Sequence, residues 1–184
     1  MRKELLRKSK FLSLVLRHDP SKIGIELDEN GWTHVPTLIE NSLTRAGIDL
    51  NRTELNEIVA TNDKKRFSFS DDGLRIRASQ GHSVKVDLGI DPSIPPEVLY
   101  HGTATHLRDD IMKSGLLKMD RQHVHLSKDV KTASKVGERH GKPMVFEVFS
   151  GEMVKNGMKF VKSDNDVWLT DHVPAEYLAV IKLN

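Results

Sequence analysis

Three prolines within five positions, Pro92, Pro95 and Pro96, interrupt the hydrophobic periodicity of this 184-residue chain near its middle. Residues 84–96 carry neither helical nor strand spacing, so they read as a connection and place a boundary near residue 90. At ~100–200 residues per domain the length allows one full domain or two small ones. The break favours two lobes, residues 1–90 and 91–184. No cysteine is present, so disulfides, thiolate nucleophiles, zinc ribbons and iron–sulfur clusters are excluded. Nine histidines remain as nitrogen ligands for a metal. The fold must rest on packing, and 38% hydrophobic with 29% charged residues is a globular composition. The longest early apolar run, residues 11–16, is too short for a membrane span and lacks a signal-peptide cleavage site, so a cytoplasmic protein without a membrane partner is expected.

In the first lobe, Leu5, Leu12, Val15 and Leu16 recur at helical spacing, and His18-Asp19-Pro20 stops that helix because the residue before proline avoids the helical region. Arg17 and His18 therefore fall at a helix C-terminus. Ile23, Ile25 and Leu27 alternate as a short strand before the Asn30-Gly31 turn. A second helix runs from Pro36 to Gly47 and a third over about residues 52–60. Residues 66–70 and 74–78 read as a hairpin whose Asp71-Asp72-Gly73 turn takes positive φ from Asp-Gly. Helices followed by a basic hairpin make a winged-helix-like unit.

In the second lobe, short strands are expected at 98–101, 124–127, 144–149, 158–162, 167–170 and 177–181, with helices near 105–114, 129–138 and 151–156. The fold class is α+β with a mostly antiparallel or mixed sheet. No Gly-x-Gly-x-x-Gly turn follows a strand and no Walker loop is present, which removes the two commonest nucleotide-binding frameworks.

Three constellations carry chemistry. His101-Gly102-Thr103 ends a strand, where a glycine lets backbone approach a flat ligand and clamp a carboxamide while the imidazole bonds a ribose hydroxyl; the same tripeptide also suits a packing turn. In Arg121-Gln122-His123-Val124-His125-Leu126-Ser127, alternation puts His123, His125 and Ser127 on one strand face, as in a wet cleft. Two histidines at that spacing suit a metal as well, but no carboxylate partner accompanies them, and no metal is expected. Arg139-His140-Gly141 is a basic turn after a helix, fit either to contact a diphosphate or to complement the helix dipole.

Charge is uneven. The net value is +2, yet residues 1–22 carry Arg2, Lys3, Arg7, Lys8, Lys10, Arg17 and Lys22 against Glu4 and Asp19. Lys64, Lys65 and Arg66, followed by Arg75 and Arg77, form a second cluster. Such clusters suit a polyanion, and each alone also suits a solvated face.

Leu16-Arg17-His18 with its helix, Asp63-Lys64-Lys65-Arg66-Phe67 with its hairpin, Leu99-Tyr100-His101-Gly102-Thr103, the Arg121 to Ser127 stretch, Arg139-His140-Gly141 and Val167-Trp168-Leu169 together resemble the RNA 2′-phosphotransferase family, in its order and spacing over about residues 9–170. The resemblance implies an N-terminal winged-helix-like RNA-binding lobe and a C-terminal lobe of the ADP-ribosyltransferase fold that binds NAD. It implies that an internal RNA 2′-phosphate attacks the nicotinamide ribose, and that an ADP-ribosylated RNA phosphate then yields 2′-hydroxyl RNA and ADP-ribose cyclic phosphate. The family's Arg-His-Arg-Arg set falls on Arg17, His18, Arg66 and Arg121 as catalytic residues. Guanidiniums are planar, permanently charged forks for phosphate oxygens, and an imidazole either donates a proton to the leaving 2′-oxygen or holds the phosphate as a cation. His101, Gly102, Thr103, His125, Ser127 and Arg139 are implied at NAD, and Lys64 and Lys65 are expected along the RNA. Val167 stands where protein-modifying relatives of that fold carry a glutamate. The alternatives are an ADP-ribosyltransferase that modifies nucleic-acid phosphates and stops after one step, and a non-catalytic winged-helix nucleic-acid-binding protein. A monomer is expected.

Overall fold

The computed structural model describes residues 3–62 and 64–181. Asp63, which opens one of the motifs above, and Arg2 lie outside the described residues. The chain is mixed α+β, with small antiparallel sheets, and divides into two compact units between Gly89 and Ile90.

The first unit begins with α1, Lys3–Val15, whose apolar stripe buries Leu5, Leu12 and Val15. Asp19 caps a 3-10 turn at Pro20–Ile23, so the chain leaves the helix axis just after Arg17 and His18. Ile23 and Ile25 do alternate inward, at 0% and 4% exposure, but they form no strand. The Ile25 amide bonds back to the Pro20 carbonyl, and Asn41 Nδ2 donates to the carbonyls of Ile23 and Gly24. The backbone groups a strand would offer a neighbour are thus used locally.

β1, Thr33–His34, leads into α2, Val35–Ala46, which ends where Gly47 takes φ +62 and returns its amide to the last turn. α3, Arg52–Thr61, starts from a capping box in which Asn51 and Glu54 satisfy each other's amides. Glu54 also receives the buried Lys8 ammonium at 2.6 Å, tying α1 to α3. β2, Phe67–Phe69, and β3, Arg75–Ala78, pair antiparallel, and β1 joins the other edge of β3. Of the turn residues only Gly73 has positive φ. Asp72 contributes its carboxylate instead, accepting from Ser70 Oγ and the Leu74 amide. The core unites the apolar faces of the three helices with Phe67, Ile76 and Ala78.

In the second unit the central sheet has the order β11-β7-β4, with β4 at Leu99–Ala104, β7 at Pro143–Val148 and β11 at Leu178–Ile181. A second sheet runs β6-β9-β8, from Val124–Leu126, Trp168–Thr170 and Val161–Lys162. The strand expected at 158–162 thus shrinks to two residues. The helix expected at 105–114 opens as a 3-10 turn, Thr105–Leu107, before α4, Arg108–Ser114. A two-residue pair, β5 (Leu116–Leu117) with β10 (His172–Val173), was not anticipated. α5, Val130–Gly137, is N-capped by Asp129, and α6 covers Ser150–Lys155. Leu99, Phe146, Val148, Leu126 and Trp168 form the middle of the core.

No described helix is long and apolar enough to cross a membrane.

Candidate active site

In the first unit Arg17, His18 and Arg66 are brought together although 48 positions separate the last two. Arg17 is 9% exposed, and its Nη2 donates to the Arg66 carbonyl at 3.3 Å. The same carbonyl accepts from the Ser79 amide. His18 places Nδ1 2.9 Å from Ser83 Oγ, and the Ser83 amide donates to the Arg17 carbonyl. Arg66 directs Nη1 to Asn62 Oδ1 at 3.1 Å. Lys64 and Lys65 are exposed on the loop between α3 and β2. Lys65 adopts φ +41, an uncommon conformation for a residue with a side chain. Sequence reasoning missed Asn62, Ser79 and Ser83. The only signal available was a run of small polar residues at an element's end, which is ordinary capping chemistry.

In the second unit His101 sits on β4 with Nδ1 3.0 Å from the His125 carbonyl. A carbonyl only accepts, so Nδ1 carries the proton and the neutral ring keeps a lone pair on Nε2. Burial pushes the His101 pKa below its ordinary value of 6.5; the His125 carbonyl opposes that shift and the nearby His140 adds to it. The imidazole is therefore neutral at pH 7.

Gly102 is required for packing, one of the two roles its tripeptide suits. A Cβ there would collide with the Ala133 carbonyl, and one at Gly137 would lie 2.5 Å from the Thr103 carbonyl. The two glycines let α5 rest its backbone on that of β4. Backbone direction adds a second point. Tyr100 spends both its amide and its carbonyl on Ser127, while the Thr105 amide reaches the Lys142 carbonyl across the β4–β7 ladder. By ladder alternation, the amide and carbonyl of Gly102 face away from β7, toward the edge where Tyr100 bridges Ser127 just past β6. Thr103 is buried opposite Met144, a packing position.

His123, His125 and Ser127 are half-buried while Val124 and Leu126 face the core, as alternation requires. Arg121 is exposed in the turn that leads into β6, its amide bonded to the Lys118 carbonyl, with Met119 at φ +51 inside the turn. Arg139 is exposed on the turn beyond α5, and its amide closes on Val136. Arg121 and Arg139 therefore belong to the same unit as His101, and Arg17, His18 and Arg66 to the other. Among the described residues no group of three or more His, Cys, Asp or Glu side chains is placed to hold a metal ion.

Comparison with known proteins identifies the lineage. A protein from Flavobacterium johnsoniae with the name "Probable RNA 2′-phosphotransferase" is 55% identical over 170 residues, 92% of this chain and 93% of its own length. Proteins of the same name from Hahella chejuensis and Escherichia coli O9:H4 are each 51% identical, covering 98% and 96% of this chain and 97% and 96% of theirs. The family model for RNA 2′-phosphotransferase, Tpt1/KptA family, matches residues 3–172, nearly the whole chain, which includes every site residue described above. The chain is therefore an enzyme belonging to the RNA 2′-phosphotransferase, Tpt1/KptA family.

Proposed function

We propose that this chain removes an internal 2′-phosphate from RNA by passing it to the ADP-ribose portion of NAD. In this reading the first unit is a winged-helix-like RNA-binding lobe, the second an ADP-ribosyltransferase-like lobe that binds NAD, and the enzyme acts as a cytoplasmic monomer. A 2′-phosphate oxygen bonds the anomeric carbon of the nicotinamide ribose as the bond to nicotinamide breaks. A ribose hydroxyl then attacks phosphorus, and the RNA 2′-oxygen leaves with a proton, giving 2′-hydroxyl RNA and a cyclic phosphate of ADP-ribose.

The observation that carries the reading is the convergence of Arg17, His18 and Arg66 from distant segments through the Arg66 carbonyl and Ser83. Phosphoryl transfer is mostly positioning and charge stabilisation, which guanidiniums on a fixed backbone supply. Arg121, on the second unit, is a further guanidinium of the same type. His18 Nδ1 lies 2.9 Å from Ser83 Oγ, whose hydroxyl reaches the Arg17 carbonyl at 3.5 Å, which fixes the imidazole beside Arg17, where it can hold the phosphate or protonate the leaving oxygen.

The residues present also fit NAD. His101 offers Nε2 as an acceptor for a ribose hydroxyl, and the Gly102 amide and carbonyl are turned to an edge where a carboxamide can pair with both. His125 lies on β6 with Ser127 just past its end, Thr103 supports β4 by packing, and Arg139 serves the diphosphate. No metal takes part in the reading.

The test is incubation with a short RNA bearing one internal 2′-phosphate, with and without NAD. Loss of phosphate only with NAD, with release of nicotinamide and a cyclic phosphate, is expected. Phosphate loss without NAD overturns the reading. Nicotinamide release that ends in a stable RNA adduct would instead make the chain an ADP-ribosyltransferase of nucleic-acid phosphates, and no release at all a binding protein.

A further inference from the structure

We infer that Asn62 is a positioning residue for the RNA phosphate site, setting the guanidinium of Arg66 and the shape of the lysine loop through one buried side-chain amide. The inference rests on the role given to Arg66 above.

Asn62 ends α3 and is 4% exposed. Its Oδ1 accepts from the Lys64 amide at 3.1 Å and from Arg66 Nη1 at 3.1 Å, and its Nδ2 reaches toward Ser9 Oγ on α1 at 3.4 Å. Both loop partners are donors, which fixes the oxygen toward the loop and the nitrogen toward α1. The Asn62 carbonyl accepts from the Lys65 amide, and Ser79 Oγ donates to the Lys65 carbonyl at 2.7 Å. Lys65 is thereby held at φ +41, a strained backbone at the residue preceding Arg66. Such strain persists only where neighbours over-determine it, and it concentrates at functional sites. α1 also delivers Arg17 and His18. One buried amide thus ties the helix that ends before two of the phosphate-site residues to the guanidinium of the third.

A core asparagine that only satisfied a helix end would affect stability and leave the chemistry alone. A positioning residue acts through Arg66, so its effect must vanish when Arg66 is absent. The experiment measures single-turnover loss of the 2′-phosphate, with NAD and RNA saturating, for Asn62→Ala, Arg66→Ala and the double variant, with thermal melts of each. Asn62→Ala is expected to slow the reaction about 10²-fold, the scale of a misplacement near 1 Å. The double variant is expected to be no slower than Arg66→Ala alone. If Asn62→Ala gives no cooperative melt, the same cycle with Asn62→Ser, whose shorter hydroxyl falls short of Arg66, gives the readout. Independent effects that multiply in the double variant, or a folded Asn62 variant with unchanged rate beside a slow Arg66→Ala, overturn the inference. A full rate for Arg66→Ala instead defeats the reading of Arg66 itself.

Discussion

In the proposed NAD site His101 accepts a hydrogen bond, which it can do only while its ring stays neutral. Burial holds its pKa below 6.5, with the His125 carbonyl working against that shift and His140 for it. For a base with a depressed folded pKa, the unfolded chain binds more protons as pH falls. The stability tied to the neutral ring is present above the ordinary value of 6.5 and is lost as pH falls through the folded pKa. Affinity for NAD should follow the same sense: level between pH 7 and 8, and weakening only below 6.5. Calorimetric titration of NAD across that range checks it. His101→Asn retains a donor for the His125 carbonyl but has no titrating ring, so it should bind about tenfold more weakly, the cost of about one hydrogen bond, with the acid limb gone. An acid limb that survives in His101→Asn would assign the proton to another group.

Elements show why a glycine can carry two meanings. The sequence left Gly102 either to bring backbone to a ligand or to pack in a turn, and its side-chain face is filled by the Ala133 carbonyl of α5, with Gly137 mirroring it against β4. Gly102→Ala should therefore destabilise the second unit, at the upper end of the ~1–3 kcal/mol typical of overpacking or beyond it. Lowering of the melting temperature of that unit by several degrees would be read by calorimetry, about 4–8 °C per kcal/mol for a domain of this size. A Gly102→Ala variant that melts normally would show that α5 can lift off β4. Helices α1 to α3 and the hairpin were legible because their signals are local: apolar spacing, Pro20 and Gly47. Residues 23–27 misled because inward alternation, which Ile23 and Ile25 keep, says nothing of whether a partner strand takes the backbone groups. The β5–β10 pair left no trace, since two residues are too few for a period. At the site, residue types and a strand carrying His101 could be read, though the strand runs on to Ala104 and does not end at His101, whereas Asn62, Ser79 and Ser83 depend on contacts between segments that no spacing encodes.

For the whole molecule, a net charge of +2 says little about RNA, because charges further apart than about 8 Å are largely screened at physiological salt. Attraction to a polyanion must come from local density, and Lys64, Lys65 and Arg66 provide three consecutive cations beside Arg17. Each phosphate neutralised on a single strand releases counterions, which gives a slope of about 0.7 in log affinity against log salt. Replacing Lys64 and Lys65 by alanine together should then flatten the salt dependence of binding to a 2′-phosphorylated RNA by about 1.4, if each meets one phosphate. Backbone groups at 64 and 65 bond Asn62 and Ser79, and alanine keeps those bonds. Arg66 and the buried amide behind it are untouched, so the rate at saturating RNA should hold while affinity falls. Binding isotherms between about 50 and 200 mM salt, a range over which phosphate contacts dominate the change, give the slopes. An unchanged slope would move the RNA backbone off this loop, and a lost rate at saturating RNA would mean that the lysines shape the phosphate site and do more than draw the RNA to it.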